Sequence, residues 1–167
     1  MTESGIVDVE KVKNSMFFRQ MPSEHLAQLA EICREVELPA QETIFEEYDR
    51  AKDVYIILSG EVSLVICEPK DSCRQIAVVG EGDFVGWSPL VGRSRLSDTA
   101  VTMTPVKALV FDGKKLLEFC EENPAFGFEF MRRAATELAK RLSGTRLQLL
   151  QLCGNRFPLF TIQPETD

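Results

Sequence analysis

The chain has 167 residues, room for one ordinary domain. Hydrophobic residues at 44% and charged ones at 27% suit a protein with a packed core, and 19 Lys+Arg against 26 Asp+Glu give a net charge of −7. A surface that acidic repels phosphate backbones and argues against a nucleic-acid-binding body. The one histidine, His25, removes multi-histidine metal sites and leaves Ser/His/Asp or Cys/His catalysis resting on a single residue.

The five cysteines (Cys33, Cys67, Cys73, Cys120, Cys153) are odd in number and form no CxxC pair. In a domain of this size they read as reduced thiols of a cytoplasmic protein rather than a disulfide framework. The polar start, MTESGIVDVEKVK, is no secretory signal, and no apolar run reaches the roughly 20 residues that cross a bilayer.

Residues 1 to 36 read as helical. Ser23 is taken as an N-cap, and Leu26, Leu29, Ile32 or Cys33, and Val36 recur at steps of three and four. Met16, Phe17, Phe18 and Met21 supply bulk for a short packed segment before it.

From residue 42 to residue 112 the period shifts to short strand-like runs: 43–45, 54–58, 62–66, 76–79, 99–102 and 107–111. Ser59-Gly60-Glu61 reads as a tight hairpin, and Pro69-Lys70-Asp71-Ser72 as a longer hairpin tip. Gly80, Gly82 and Gly86 punctuate the next turn, where positive φ suits glycine. Many short strands at near-regular spacing predict an antiparallel sandwich or barrel.

The helical period returns after Asp112. A short helix is expected over 114–121, then Asn123 as N-cap with Pro124 at the first helical position. One long helix follows to about Leu152, roughly 43 Å at 1.5 Å per residue. Met131, Ala135, Leu138, Leu142, Thr145, Leu149 and Leu152 are spaced 4, 3, 4, 3, 4, 3, a pattern that predicts pairing with a second copy. Phe126, Phe130, Ala134, Leu147 and Leu150 offer a second apolar face for the barrel. Arg132, Arg133, Lys140 and Arg141 read as a solvated face. Residues 1–152 thus form one domain, and 153–167 an irregular tail.

Two stretches, Tyr55-Ile56-Ile57-Leu58-Ser59-Gly60-Glu61-Val62 and Gly80-Glu81-Gly82-Asp83-Phe84-Val85-Gly86, carry a resemblance, and Ala139-Lys140-Arg141-Leu142 extends it. The chain resembles the cyclic-nucleotide-binding domain of the catabolite-activator and anaerobic-regulator (CRP/FNR-like) superfamily over roughly residues 16–152. The resemblance implies an α+β, mainly β fold: a double-stranded β-helix jelly roll with N-terminal helices and a long C-terminal dimerisation helix.

It also implies a ligand pocket in a cassette similar to Phe-x-Gly-Glu-x-x-Leu, a loop, then Arg-Ser/Thr-Ala. In such a cassette a short helix aims N–H groups at the cyclic phosphate. The arginine pairs with that charge, and the glutamate accepts the ribose hydroxyl. The pocket residues implied are Phe84, Gly86, Trp87, Ser88, Leu90, Arg93, Arg95, Leu96, Ser97 and Thr145. Trp87 stands at the glutamate position, Leu96 at the arginine position, and Asp98 where the family has a small residue. Losing one charge-assisted phosphate contact forfeits about 1.5–3 kcal/mol, roughly ten- to more than a hundredfold in affinity.

The loop between Leu90 and Leu96 is one residue shorter than common versions, so a bulge could bring Arg95 to the arginine's place. Arg93 and Arg95 could also hold another anion. Thr145 either meets a purine base, as its position in relatives implies, or tunes helix pairing as an isolated polar residue.

The expected protein is a non-catalytic regulatory or sensory module with an altered phosphate-binding cassette. It is a cytoplasmic homodimer acting through a protein partner, with no metal, no membrane and no direct DNA binding. Its candidate ligands are cAMP, cGMP or another small anion. Two alternatives stand: a working cAMP/cGMP-binding protein using Arg95 and Thr145, and a structural dimerisation domain with a filled pocket. His25, beside Glu24, reads as a surface residue. Cys67 and Cys73 flank a predicted hairpin tip closely enough for a redox or metal role. The apolar stretch Arg156–Ile162 is expected to dock on the barrel or on a partner.

Overall fold

The computed structural model describes residues 2–154 apart from 20, 22 and 69–71. Two antiparallel sheets lie face to face as a jelly roll. One has five strands in the order β1 (Thr2–Ile6), β2 (Cys33–Leu38), β9 (Val106–Asp112), β4 (Asp53–Ser59) and β7 (Phe84–Val85). The other has β3 (Thr43–Phe45), β8 (Thr99–Thr102), β5 (Val62–Glu68) and β6 (Ser72–Val79). Helices α1 (Val9–Asn14) and α2 (Leu26–Glu31), between β1 and β2, and α3 (Gly113–Glu122) and α4 (Pro124–Cys153), after β9, form a third layer.

This layering explains the two most apolar runs in the chain. β4 and β9 are central strands buried on both faces, so Ile56 and Ile57, or Leu109 and Val110, point to opposite cores. One core lies between the sheets and holds Val36, Phe45, Ile57, Leu64, Leu96 and Val110. The other lies between the five-stranded sheet and the helices, with Phe17, Phe18, Phe84, Phe111, Phe126 and Phe130 in edge-on and stacked contacts. Each ring buried there contributes about 1.5–3 kcal/mol.

Three local expectations differ from what forms. The N-terminal zone is helical only in part, because β1 and β2 lie within it. Residues 33–38 pair with β9 from Cys33↔Phe111 to Leu38↔Val106, and Val36 points into the inter-sheet core. The helical stripe therefore stops at Leu29, and Val36 shares its spacing by coincidence. The residue before α2 is His25, with no side-chain cap bond.

Ser59-Gly60-Glu61 makes no hairpin. β4 pairs with β7 and β9 while β5 pairs with β6 and β8, so the turn carries the chain from one sheet to the other. Gly60 is required at this corner: its φ is +90° and an added Cβ would meet the Pro105 carbonyl oxygen at 2.3 Å. β5 and β6 do pair as a hairpin, whose tip 69–71 lies outside the described residues.

The cysteine reading is also corrected. Cys67 and Cys73 face each other in the β5–β6 register and form a disulfide; Cys33, Cys120 and Cys153 are free thiols.

Asn123 and Pro124 start α4 as expected, but the Asn123 side chain serves the preceding helix. Its Nδ2 donates to the Phe119 carbonyl at 3.0 Å and closes the end of α3. At 30 residues α4 is about 45 Å long. Its apolar anchors are confined to the first half: Phe126, Phe130 and Ala134 are buried, whereas Leu147 and Leu150 are exposed. The expected second face on the barrel thus ends near Ala134.

Candidate functional site

The cassette begins at the turn before β7. The Asp83 carboxylate accepts the Gly80 N–H at 3.0 Å, and the Asp83 carbonyl accepts the Ile57 N–H at 2.9 Å. β7 then pairs with β4, which turns the Phe84 ring toward the helical layer. Gly86 lies against β4: its φ is +73° and a Cβ would sit 2.6 Å from the Asp53 carbonyl oxygen. A 3-10 turn, Ser88–Val91, follows with Trp87 before it and Gly92 closing it in the left-handed region. The Arg93 N–H donates to the Ser88 carbonyl at 3.0 Å and folds the next loop back.

The pocket residues read from the sequence separate into groups. Phe84, Trp87 and Leu90 meet Met131, Ala134 and Leu138 of α4 around an apolar cavity of about 100 Å³. Trp87 is half-buried there, with the Arg93 guanidinium 5.9 Å from its ring centre. Leu96 lies elsewhere. It is 5% exposed within the inter-sheet core, its backbone tied to the 48–49 loop by Tyr48 N–H to Leu96 O and Leu96 N–H to Asp49 O. Arg95 is exposed and donates through Nη1 to the Tyr48 carbonyl at 3.1 Å. Ser97 is half-buried, and Ser88 is 1% exposed with no hydrogen-bond partner for its Oγ among the described residues. Thr145 is exposed and donates to the Arg141 carbonyl at 3.0 Å.

The cation that reaches the cassette comes from α4. Arg141 is half-buried, donates through Nη2 to the Phe84 carbonyl, and places its guanidinium 5.2 Å from the Phe84 ring centre. It was read from sequence as part of a solvated face, as was Arg133. Arg133 instead turns inward too, donating to the Phe17 carbonyl at 2.6 Å and to Glu129 at 2.8 Å. The spacing held the signal: residues 133, 137 and 141 are two full turns of one face, and that face covers the N-terminal segment and the cassette.

Around Arg141 the electrostatics form one cluster. Burial lowers its pKa, while the charges of Asp83, Asp98 and Glu137 act to keep it protonated. Asp98 is 7% exposed and its Oδ1 has no partner among the described residues; burial raises its pKa, and Arg141 offsets part of that rise. Burial also raises the pKa of Asp83, opposed by the Gly80 N–H and Arg141 and reinforced by the Glu137 carboxylate. The buried Asp98 carboxylate thus lies within electrostatic reach of a cation supplied by the long helix.

A family model described as the cyclic nucleotide-binding domain matches residues 35–123, more than half of the chain. This chain belongs to the cyclic nucleotide-binding domain family. Its cassette lies wholly inside the matched region, and α4 begins where the match ends. A CRP-like cAMP-activated global transcriptional regulator of Mycobacterium tuberculosis is 25% identical over 135 residues. That alignment takes in 81% of this chain and 58% of the regulator, so the chain spans little more than half the length of the relative it matches. The N-terminal domain of a transcriptional regulator from Streptomyces coelicolor superposes with a TM-score of 0.61 at 26% identity, covering 80% of this chain and 94% of that one. A cyclic nucleotide-binding domain from Methylobacillus flagellatus gives 0.71 at 21% identity, covering 92% and 84%.

This family member carries little else that reads as a site. Its His25 is half-buried at the edge of the helical core, 3.4 Å from Glu24 and edge-on to Phe119 and Phe126. Among the described residues no cluster of three His, Cys, Asp or Glu side chains could hold a metal ion, and no helix is long and apolar enough to cross a membrane. The apolar stretch 156–162 lies outside the described residues.

Proposed function

We propose that this domain is a non-catalytic regulatory module whose cassette is filled from within, so that cAMP and cGMP are poor ligands. The observation that carries this is the buried Asp98 carboxylate, within electrostatic reach of Arg141, with Leu96 held in the inter-sheet core. Leu96 offers no charge to a phosphate, and Asp98 repels one. Trp87 offers one N–H donor and no acceptor for a ribose hydroxyl. Arg95, exposed and tied to the Tyr48 carbonyl, points to the 48–50 loop.

The module works as a homodimer through α4 and passes its state to a protein partner. Supporting this, Leu142, Leu149 and Leu152 of the 4–3 stripe are exposed, Leu152 at 83%, while Met131 and Leu138 are held by the barrel. A row of exposed leucines along the last three turns of a helix is covered by packing against a like helix. The net charge of −7 favours a protein rather than a nucleic acid as receiver.

Titration calorimetry with cAMP and cGMP tests the reading. The expected result is no saturable heat at micromolar nucleotide, and weak binding gained in the double variant Leu96→Arg/Asp98→Ala. Micromolar binding by the unaltered protein that vanishes in Arg95→Ala would overturn it and assign the site to Arg95 instead.

A further inference from the structure

We propose that Cys67–Cys73 is a reversible thiol–disulfide exchange site, open in the folded protein to small thiols and dithiol reductants. It lies on the four-stranded sheet and is independent of the cassette.

Access is the first support. Both cysteines are exposed and contribute to the floor of an open groove of about 900 Å³, with Ser63, Val65, Gln75 and Thr99 beside them. A thiolate attacks a disulfide sulfur only where it can reach it, and this groove admits one. Contrast among the thiols is the second. Burial pushes the Cys33 thiol up to about 12 and the Cys120 thiol up to about 11, so neither supplies thiolate at neutral pH. Of the described cysteines this leaves the surface pair and Cys153, which sits apart at the end of α4.

The strands supply the third. Residues 62–68 pair with residues 72–79 across a bulge at Leu64–Val65, with Cys67 opposite Cys73, and β5 is held on its other side by β8 from Val62↔Thr102 to Val65↔Thr99. The two sulfurs remain opposed when the bond opens, which makes closure an intramolecular step. The pair lies outside both hydrophobic cores, and only five residues separate the cysteines. A bond closing so short a loop constrains the unfolded chain less than a long loop would.

The step balances as follows. A dithiol reductant attacks one sulfur, releases the other as thiolate and forms a mixed disulfide. Its second thiol then displaces the cysteine, leaving Cys67–SH, Cys73–SH and the oxidised reductant. A disulfide oxidant such as oxidised glutathione reverses the two steps.

Folded protein is treated with dithiothreitol at neutral pH, alkylated and mapped by mass spectrometry. The expected result is label at Cys67 and Cys73, none at Cys33 or Cys120, and no label at Cys67 or Cys73 when oxidised glutathione is then added in place of the reductant before alkylation. Hydrogen exchange at residues 66–67 and 73–75 should rise on reduction while residues 62–64 hold. Cys73→Ser should remain folded and take one glutathione at Cys67. Label that appears only after unfolding, a reduced pair that oxidised glutathione does not close, or a Cys73→Ser protein that takes no glutathione would each overturn the assignment.

Discussion

Replacing Arg141 by methionine tests the cluster that joins α4 to the cassette. Methionine keeps the apolar stem and removes the guanidinium. The change deletes a charge-assisted bond to the Phe84 carbonyl, about 1.5–3 kcal/mol, and a guanidinium–ring contact of about 0.5–2 kcal/mol. Against this, the variant no longer buries Nη1 without a partner, which returns about 1 kcal/mol. The net expectation is a loss of about 2 kcal/mol, or about 4–8 °C in Tm for a chain of this size.

Asp98→Asn should act the other way, because ionised Asp98 is more penalised by burial than helped by Arg141. The two changes should couple. Arg141→Met should cost about 1 kcal/mol less when residue 98 is asparagine, since the abandoned anion is gone. Its penalty should also shrink as pH falls and Asp83 and Asp98 protonate. Urea unfolding at fixed protein concentration, at pH 7.5 and pH 5, measures all of this. An Arg141→Met protein within about 0.5 kcal/mol of wild type, or strictly additive single changes, would refute the cluster as described.

Two further outcomes are expected. Leu152→Glu places a charge on the exposed stripe at its most exposed leucine, so sedimentation at micromolar protein should show the wild-type mass halved with the fold intact; an unchanged mass refutes pairing through α4. The pH profile should have two limbs. Asp83 and Asp98 hold their protons more tightly in the folded than in the unfolded chain, so stability rises as pH falls toward the ordinary carboxylate value of 3.8. Glu129 is held down to about 2 by Arg132 and Arg133, so its contribution is present above 4.5 and lost as pH falls toward 2. A melting temperature that falls steadily from pH 7 to pH 5 would contradict the first limb.

The sequence by itself was enough for six strands between residues 43 and 112, the long helix and the family. Their signals are local: period-2 runs, glycines at forced turns, and a 4–3 leucine spacing each reflect the backbone of their own segment. It also carried the expectation of an altered cassette, with Leu96 at the arginine position and Trp87 at the glutamate position. Distances across the chain were another matter. Only the folded sheets show that Ser59-Gly60-Glu61 crosses between layers, that residues 33–38 are a strand of the larger sheet, and that Cys67 and Cys73 are bonded.

The same holds for Arg141. On a helical wheel it lies among solvated cations; its burial depends on where α4 crosses β7, 57 residues earlier in the chain. Charge counting gave an acidic surface of −7 and nothing about its interior. The tertiary structure decided that one cation and two carboxylates of that sum lie buried within electrostatic reach of one another, because burial depends on contacts that no local period records.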